Sequence, residues 1–179
     1  HAGEQSPVPL PGPFRLNITF PLPGTWYYRA HAIVAGQQVW STEMAITLAT
    51  PSAPKVILLD PPRNHTIEVG ATTKVDPIVV EWSVLTPANT AIPHTDVHHG
   101  PASVATPSEA GPQSYPQKTS PQNGTGPMIF RGNVTIVTGF PAVSGSYYMR
   151  AMALVRGADG NQAEVWSDEW AIQVTVKTV

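Results

Sequence analysis

The sequence predicts an all-β protein of two sandwich units in tandem, the first of them incomplete. Three observations carry that expectation. First, three blocks occur twice in the same order. Phe14-Arg-Leu-Asn-Ile-Thr19 returns as Phe130-Arg-Gly-Asn-Val-Thr135, Gly24-Thr-Trp-Tyr-Tyr-Arg-Ala-His-Ala-Ile-Val34 as Gly145-Ser-Tyr-Tyr-Met-Arg-Ala-Met-Ala-Leu-Val155, and Val39-Trp-Ser-Thr-Glu-Met-Ala-Ile46 as Val165-Trp-Ser-Asp-Glu-Trp-Ala-Ile172. Such an ordered recurrence marks one structural unit used twice. Second, the later copy follows a long run of sequence, whereas the earlier one follows only residues 1–13. Residues 1–50 are therefore expected to supply the back half of a sandwich, three strands, and residues 51–179 a complete one. Third, the chain holds 20 prolines and no segment with helical periodicity. Proline breaks helices and, in sheets, is confined to edges and turns.

The elements follow in order. Residues 1–13 are proline-rich and read as loop. From Phe14 to Phe20 the side chains alternate, with Phe14, Leu16, Ile18 and Phe20 on one face and Asn17 on the other, the period of a half-buried strand. Leu22-Pro-Gly-Thr25 turns into an aromatic-rich strand, Trp26–Val34. Ala35-Gly-Gln-Gln38 is a glycine-containing hairpin loop, and Val39–Leu48 is the third strand. Residues 49–54 form a linker. In the second unit Lys55–Leu59 and Thr66–Val69 read as strands. Ile78-Val-Val-Glu-Trp-Ser-Val84 is the strongest strand signal, because its β-branched run suits a central, buried position. Residues 85–127 are rich in Pro, Ser, Thr, Gln and Gly, and are expected to form a long loop. The repeated blocks close the chain, with Phe130, Val134 and Ile136 facing in and Asn133 out.

Composition narrows the function. The net charge of -2 gives no electrostatic pull toward nucleic acid or an anionic membrane. No apolar run is long enough to span a bilayer. Without cysteine there is no disulfide, thiolate metal site or cysteine nucleophile. The start at His1 is read as the mark of a processed or trimmed chain. Four of the six asparagines, Asn17, Asn64, Asn123 and Asn133, carry the N-glycosylation pattern. Chance predicts about one such match, so N-linked glycans and a secreted, extracellular or cell-wall location are expected.

Few constellations carry chemistry. His94-Thr-Asp-Val-His-His99 brings His94, Asp96, His98 and His99 together, ligand types competent for zinc or copper. Placed in a proline-rich loop with nothing rigid to fix their geometry, they are expected to be solvated. His1 offers an amine and an imidazole to copper, the arrangement from which N-terminal-histidine copper monooxygenases start. No nucleophile elbow and no phosphate loop is present, so no catalytic residue is assigned. Arg29 and Arg150 are expected to face outward and to pair with Glu43 and Glu169. Trp26, Trp40, Trp82, Tyr147 and Trp166 are the expected structural core.

The three-block unit resembles the last three strands of a fibronectin type III domain. Trp26, Arg29 and Ala32, and again Tyr147, Arg150 and Ala153, stand where that family has a corner aromatic, an arginine and a small residue. Val39-Trp-Ser41 and Thr50-Pro51 are similar to its last strand and interdomain join. Trp82 looks like the buried tryptophan of immunoglobulin-type sandwiches. Trp26 departs from the usual tyrosine, which implies a weaker corner hydrogen bond in the first copy. The stretches Val165–Ile172 and Ile67–Trp82 are also similar to fungal cell-wall proteins of the Kre9/Knh1 type. Both resemblances imply structural or binding modules.

A half sandwich exposes an apolar face and unpaired strand edges, which are templates for another chain. The expected function is therefore a non-catalytic structural or adhesive role. The first unit would be completed by strands from a neighbouring copy or from the upstream part of its own precursor. The alternative is a monomeric module that binds extracellular glycans or proteins, a host-interaction factor or receptor fragment, and a second alternative is a copper monooxygenase-like protein acting through His1.

Overall fold

A computed structural model describes residues 16–69, 77–109, 115–136 and 144–178. All regular structure among them is β. The first unit holds β1 (Gly24–Tyr28), β2 (His31–Val34), β3 (Gln37–Trp40) and β4 (Met44–Leu48). β2 and β3 form a hairpin through Ala35 and Gly36, whose φ values of 50° and 80° are both left-handed. Such turns match the twist of the strands they join. β1 pairs antiparallel with β4, from Gly24↔Leu48 to Tyr28↔Met44. The two expected long strands thus divide, each at the same level, and Ser41 stitches the break. Its N–H donates to Ala30 O at 2.9 Å, and its Oγ accepts from Ala30 N at 2.9 Å.

The second unit contains β5 (Lys55–Leu58), β6 (Asn64–Val69), β7 (Ile78–Leu85), β8 (Thr90–Gly100), β9 (Gln117–Lys118), β10 (Gln122–Gly126), β11 (Met128–Val134), β12 (Gly145–Arg156), β13 (Gln162–Trp166) and β14 (Trp170–Thr178). One sheet runs β11-β7-β5, with β7 central as its β-branched run predicts. The facing sheet runs β10-β8-β12-β14-β6, with β13 also on β12 and β9 also on β8. All its pairings are antiparallel except β14 with β6. Inward residues of both sheets make the core: Val56, Val80, Trp82, Val84, Phe130 and Val134 against Val97, Met149, Ala151, Ala153, Val155 and Ile172. Trp82 is fully buried, stacks on Phe130 at 5.9 Å, and donates Nε1–H to Thr95 Oγ1 at 2.8 Å. Thr95 in turn donates to Met152 O at 2.6 Å, so the indole is tied to the opposite sheet. Gly132 sits where a Cβ would meet the Trp82 ring at 3.3 Å, which explains the absence of a side chain on β11 there.

Three expectations are corrected. The stretch 85–127 is not a long loop, because it contributes β8, β9 and β10, and β8 lies inside the larger sheet. Its composition hid this. Pro93 falls where the β8–β12 register slips between His94 and Ala91, an irregularity that tolerates a residue with no N–H. Second, residues 16–20 form no strand, and Leu16 and Ile18 are exposed. The equivalent block of the second unit is β11, which is a strand because β7 pairs with it. Among the described residues the first unit has no counterpart of β7. Phe14 lies outside the described residues. Instead, Phe20 packs on Trp26 at 5.7 Å, and the Pro21 carbonyl accepts a hydrogen bond from the buried Ser83 hydroxyl on β7.

The third correction concerns the aromatics. Trp82 and Tyr147 are in the core, but Trp40 is exposed and Trp166 lies half-buried on the outer face of its sheet. Trp26 is half-buried, and its Nε1–H donates to Leu22 O at 2.9 Å. The corner bond expected to be weak is thus made by the indole. Trp82→Ala is expected to lower stability by about 3–5 kcal/mol and Trp40→Ala by under about 0.5 kcal/mol. Urea unfolding followed by far-ultraviolet circular dichroism checks the difference.

Candidate functional site

The two copies share their backbone geometry residue by residue. Trp26↔Ile46 and His31↔Trp40 in the first correspond to Tyr147↔Ile172 and Met152↔Trp166 in the second. The serine stitch recurs. Ser167 N–H donates to Ala151 O at 2.9 Å, Ser167 Oγ accepts from Ala151 N at 3.0 Å, and it donates to Asp168 O at 2.9 Å, as Ser41 Oγ does to Thr42 O at 2.9 Å. The surroundings differ. In the second unit β8 occupies the far edge of β12, β6 the far edge of β14, and the β11-β7-β5 sheet covers the inner face. Among the described residues, β1 pairs only with β4 and β2 only with β3. The inner-face residues respond accordingly. Val155 is 2% exposed and Ile172 0%, whereas their counterparts Val34 and Ile46 are 42% and 38% exposed.

The outer faces differ in the same way. Both expected ion pairs form, Arg29 with Glu43 at 3.3 Å and Arg150 with Glu169 at 3.8 Å. The first is half-exposed on both sides, at 52% and 49%, while the second is 17% and 18% exposed. It is covered by a strap, residues 101–109 with Tyr115, that crosses the outer face of the larger sheet. Glu169 accepts from Ser103 Oγ at 2.6 Å, from Val104 N at 3.0 Å and from the Tyr115 hydroxyl. Arg150 donates to Val104 O at 3.2 Å, to the Tyr115 oxygen at 3.2 Å and to Ser167 O at 3.1 Å. Burial works to raise the pKa of Glu169. Its hydrogen bonds from Ser103, Tyr115 and Val104 and the Arg150 charge outweigh that, and hold it below the usual carboxylate value. Burial, then the hydrogen bond to Glu169, pushes the Tyr115 phenol up to about 12. Further along the strap, the Glu109 N–H donates to Glu164 Oε1 at 3.0 Å, and its carboxylate lies 3.4 Å from His94 Nε2 and 3.7 Å from Lys118 Nζ.

The histidine cluster lies on β8 and is largely buried, which corrects its expected place in a solvated loop. Residues opposite one another in an antiparallel pair share a face. His94, Asp96 and His98, opposite Leu154, Met152 and Arg150, therefore lie on the outer face beneath the strap. Asp96 is 0% exposed and His98 2%. One Asp96 oxygen lies 3.1 Å from His94 Nε2. The other lies 2.9 Å from His98 Nε2, at an angle that leaves both of those atoms without a well-formed hydrogen bond. The His98 ring meets Trp166 edge-on at 4.8 Å. Burial acts to raise the Asp96 pKa, but the two imidazoles, His98 foremost, outweigh it and hold it low. Four residues of strand separate the two histidines by about 13–14 Å along the backbone, with the carboxylate between them. Among the described residues no group of three His, Cys, Asp or Glu side chains is placed to hold a metal ion.

His99 points the other way, into the core, where its Nδ1 lies 3.1 Å from the Tyr147 hydroxyl, which donates to Gln117 Oε1 at 2.9 Å. Burial, with His98 nearby, lowers its pKa to about 4, and burial raises Tyr147 to about 12. His1 lies outside the described residues. Asn17, Asn64, Asn123 and Asn133 are all exposed. Tyr27 is exposed and Tyr148 half-buried. Sequence reasoning missed Ser103, Glu109, Tyr115 and Gln117. Their only signal was the burial of their partners, which a sequence does not display.

No family model matches this chain, and no curated protein matches it. Among solved structures it is similar to the fibronectin(III)-like modules of Clostridium thermocellum CbhA, with 13% sequence identity and a TM-score of 0.35. The likeness covers 87% of this chain and 64% of that one.

Two expectations about β8 and the strap are measurable. Between about pH 4 and the ordinary histidine value of 6.5, the unfolded chain binds a proton at residue 99 that the folded chain does not. Stability at this position is therefore full above pH 6.5 and falls as the pH drops toward 4, by roughly 2–3 kcal/mol. Urea midpoints at pH 7 and 4.5 should differ more in the parent than in His99→Gln. Glu169→Gln should release the strap, raising hydrogen exchange at Val104 and Glu109 by about tenfold or more. Glu43→Gln should leave that exchange unchanged.

Proposed function

We propose that this chain is a non-catalytic, secreted glycoprotein with a structural or adhesive role, and that its first unit is completed by added strands, from a neighbouring copy or from the upstream part of its own precursor. The observation that carries this reading is the contrast between two equivalent back halves. One buries Val155 and Ile172 against the β11-β7-β5 sheet, and the other leaves Val34 and Ile46 open. Unpaired strand edges beside an open apolar face are the features that strand addition uses. The second unit supplies the template for the occupant: an antiparallel strand on the β1–β2 edge, as β8 lies on β12, and a parallel strand on β4, as β6 lies on β14. Four exposed asparagines in the glycosylation pattern support passage through a secretory pathway. The exposed Trp40, with the His31 ring tilted against it at 4.4 Å, favours a second reading, a module that binds a glycan or protein at this platform.

Light scattering on the chain secreted from a eukaryotic host tests the proposal. Endoglycosidase treatment should lower the mass. The deglycosylated chain should still exceed one chain's mass at micromolar concentration, and Ile46→Asp should return it to one. A single-chain mass at every concentration overturns completion by a neighbouring copy, and leaves the binding-module reading in front.

A further inference from the structure

We infer that the three N-glycans of the second unit guard its sheet edges against pairing with other copies of this chain; the inference rests on the glycoprotein reading above. An unpaired strand edge is a template for another chain. Among the described residues the end strands are β10 and β6 in the larger sheet, and β11 and β5 in the smaller. Asn123 lies on β10, Asn64 on β6 and Asn133 on β11, and all three are exposed. The interior strands β7, β8, β12 and β14 carry no glycosylation pattern, although β7 has exposed outward positions at Val79 and Glu81. Exposure alone therefore does not account for the placement.

The main-chain geometry agrees. Successive residues of a strand turn their N–H and C=O to opposite sides. Gln173 N–H donates to Arg63 O at 2.8 Å, so Arg63 faces β14 and Asn64 faces the free side of β6. Leu59 N–H donates to Glu81 O, which turns Glu81 toward β5 and its opposite number Arg131 away from β7. The Arg131 carbonyl takes the Gln122 side chain at 2.7 Å on that free side, and Asn133, two residues on, faces the same way. Asn123 falls where the β10–β8 register slips, between Gln122↔Thr95 and Gly124↔Ile92. Beside the β11 edge the outer face holds Val79, directly opposite Asn133, and Ile129, which are 45% and 37% exposed. An open edge next to exposed apolar side chains is the greatest hazard of the set. A glycan is bulky and solubilising, and on Asn133 it covers both. The strands with a free side and no glycan carry other devices. β9 has two residues; β5 has four, opens on Lys55 and is followed by Asp60-Pro61-Pro62; β13 has five and exposes Glu164. Shortness, charge and proline blunt an edge in the same sense.

The test uses the Ile46→Asp chain secreted from a eukaryotic host, so that association through the first unit does not contribute. Peptide mass spectrometry should find glycans on Asn64, Asn123 and Asn133; bare asparagines there overturn the inference together with the glycoprotein reading. Thioflavin T fluorescence under agitation then follows edge pairing. Replacing the three asparagines by glutamine should shorten the aggregation half-time about tenfold or more, with Asn133→Gln the largest single effect. Asn17→Gln should leave it unchanged, because residues 16–20 form no strand. The triple variant Asn64→Lys, Asn123→Lys, Asn133→Lys should regain the parent half-time with no glycan, since lysine on an edge also opposes pairing. Those lysines reduce the chain's negative net charge, which by itself favours association, so the rescue reports the edges. Trimming the glycans of the folded parent to a single sugar should accelerate aggregation as glutamine does, which covers a variant that folds poorly. An unchanged half-time in both the glutamine variant and the trimmed chain overturns the guard and leaves the glycoprotein reading intact. An equal effect of Asn17→Gln, or an acceleration that lysine does not correct, also overturns it.

Discussion

A three-stranded β-sheet has two faces and two edges, and in water each must be covered, paired or made polar. That constraint governs every part of this protein. The back half formed by β12, β13 and β14 meets it fully. β8 and β6 take its edges, the β11-β7-β5 sheet takes its inner face, and the strap takes its outer face. The residues so enclosed, among them Met149, Ala151, Ala153 and Ile172, are fully buried. The same back half in the first unit has the same register and the same serine stitch, but none of these covers among the described residues.

β8 shows what complete enclosure demands. Its inner face carries Thr95, Val97 and His99 into the core, and its outer face carries His94, Asp96 and His98 beneath the strap. Burying a carboxylate is costly unless it is paired. Asp96 is flanked by an imidazole on each oxygen, bonded by His94 Nε2 at 3.1 Å and approached by His98 Nε2 at 2.9 Å. The cover over this polar layer is itself held by polar groups, Glu169, Arg150 and Glu164. Such a layer favours one register of the strap over others, because a shift would strand charges in a dry site. The strap and β8 thus stabilise each other, and the ion pair that looked like ordinary surface chemistry becomes a joint between them.

The first block makes the dependence on partners explicit. Phe130-Arg-Gly-Asn-Val-Thr135 is a strand with Phe130 and Val134 buried, while the near-identical stretch that follows Phe14 forms none over residues 16–20 and leaves Leu16 and Ile18 exposed. The local propensities are alike. The difference is β7, which gives the later block a ladder to join. Strand propensity is a preference for a pleated, half-buried surface, and it has no effect where that surface is absent.

By itself the sequence determined the β class, the two copies, the central place of β7, the Arg–Glu pairs and the exposure of Asn17 and Asn133, because each rests on local pattern or on comparison of one copy with the other. Trp82 and Tyr147 were legible as core for the same reason. It did not reveal β8, because alternation is read as apolar against polar, and a buried strand with polar side chains on both faces, Thr95 and His99 inward and His94, Asp96 and His98 outward, shows no such contrast. Nor did it separate Trp40 from Trp166, which occupy equivalent positions in equivalent blocks. Only the tertiary structure decided that Trp166 packs against His98 while Trp40 stands open, since burial depends on which distant strands arrive, and those strands are present for one copy and absent from the described residues of the other.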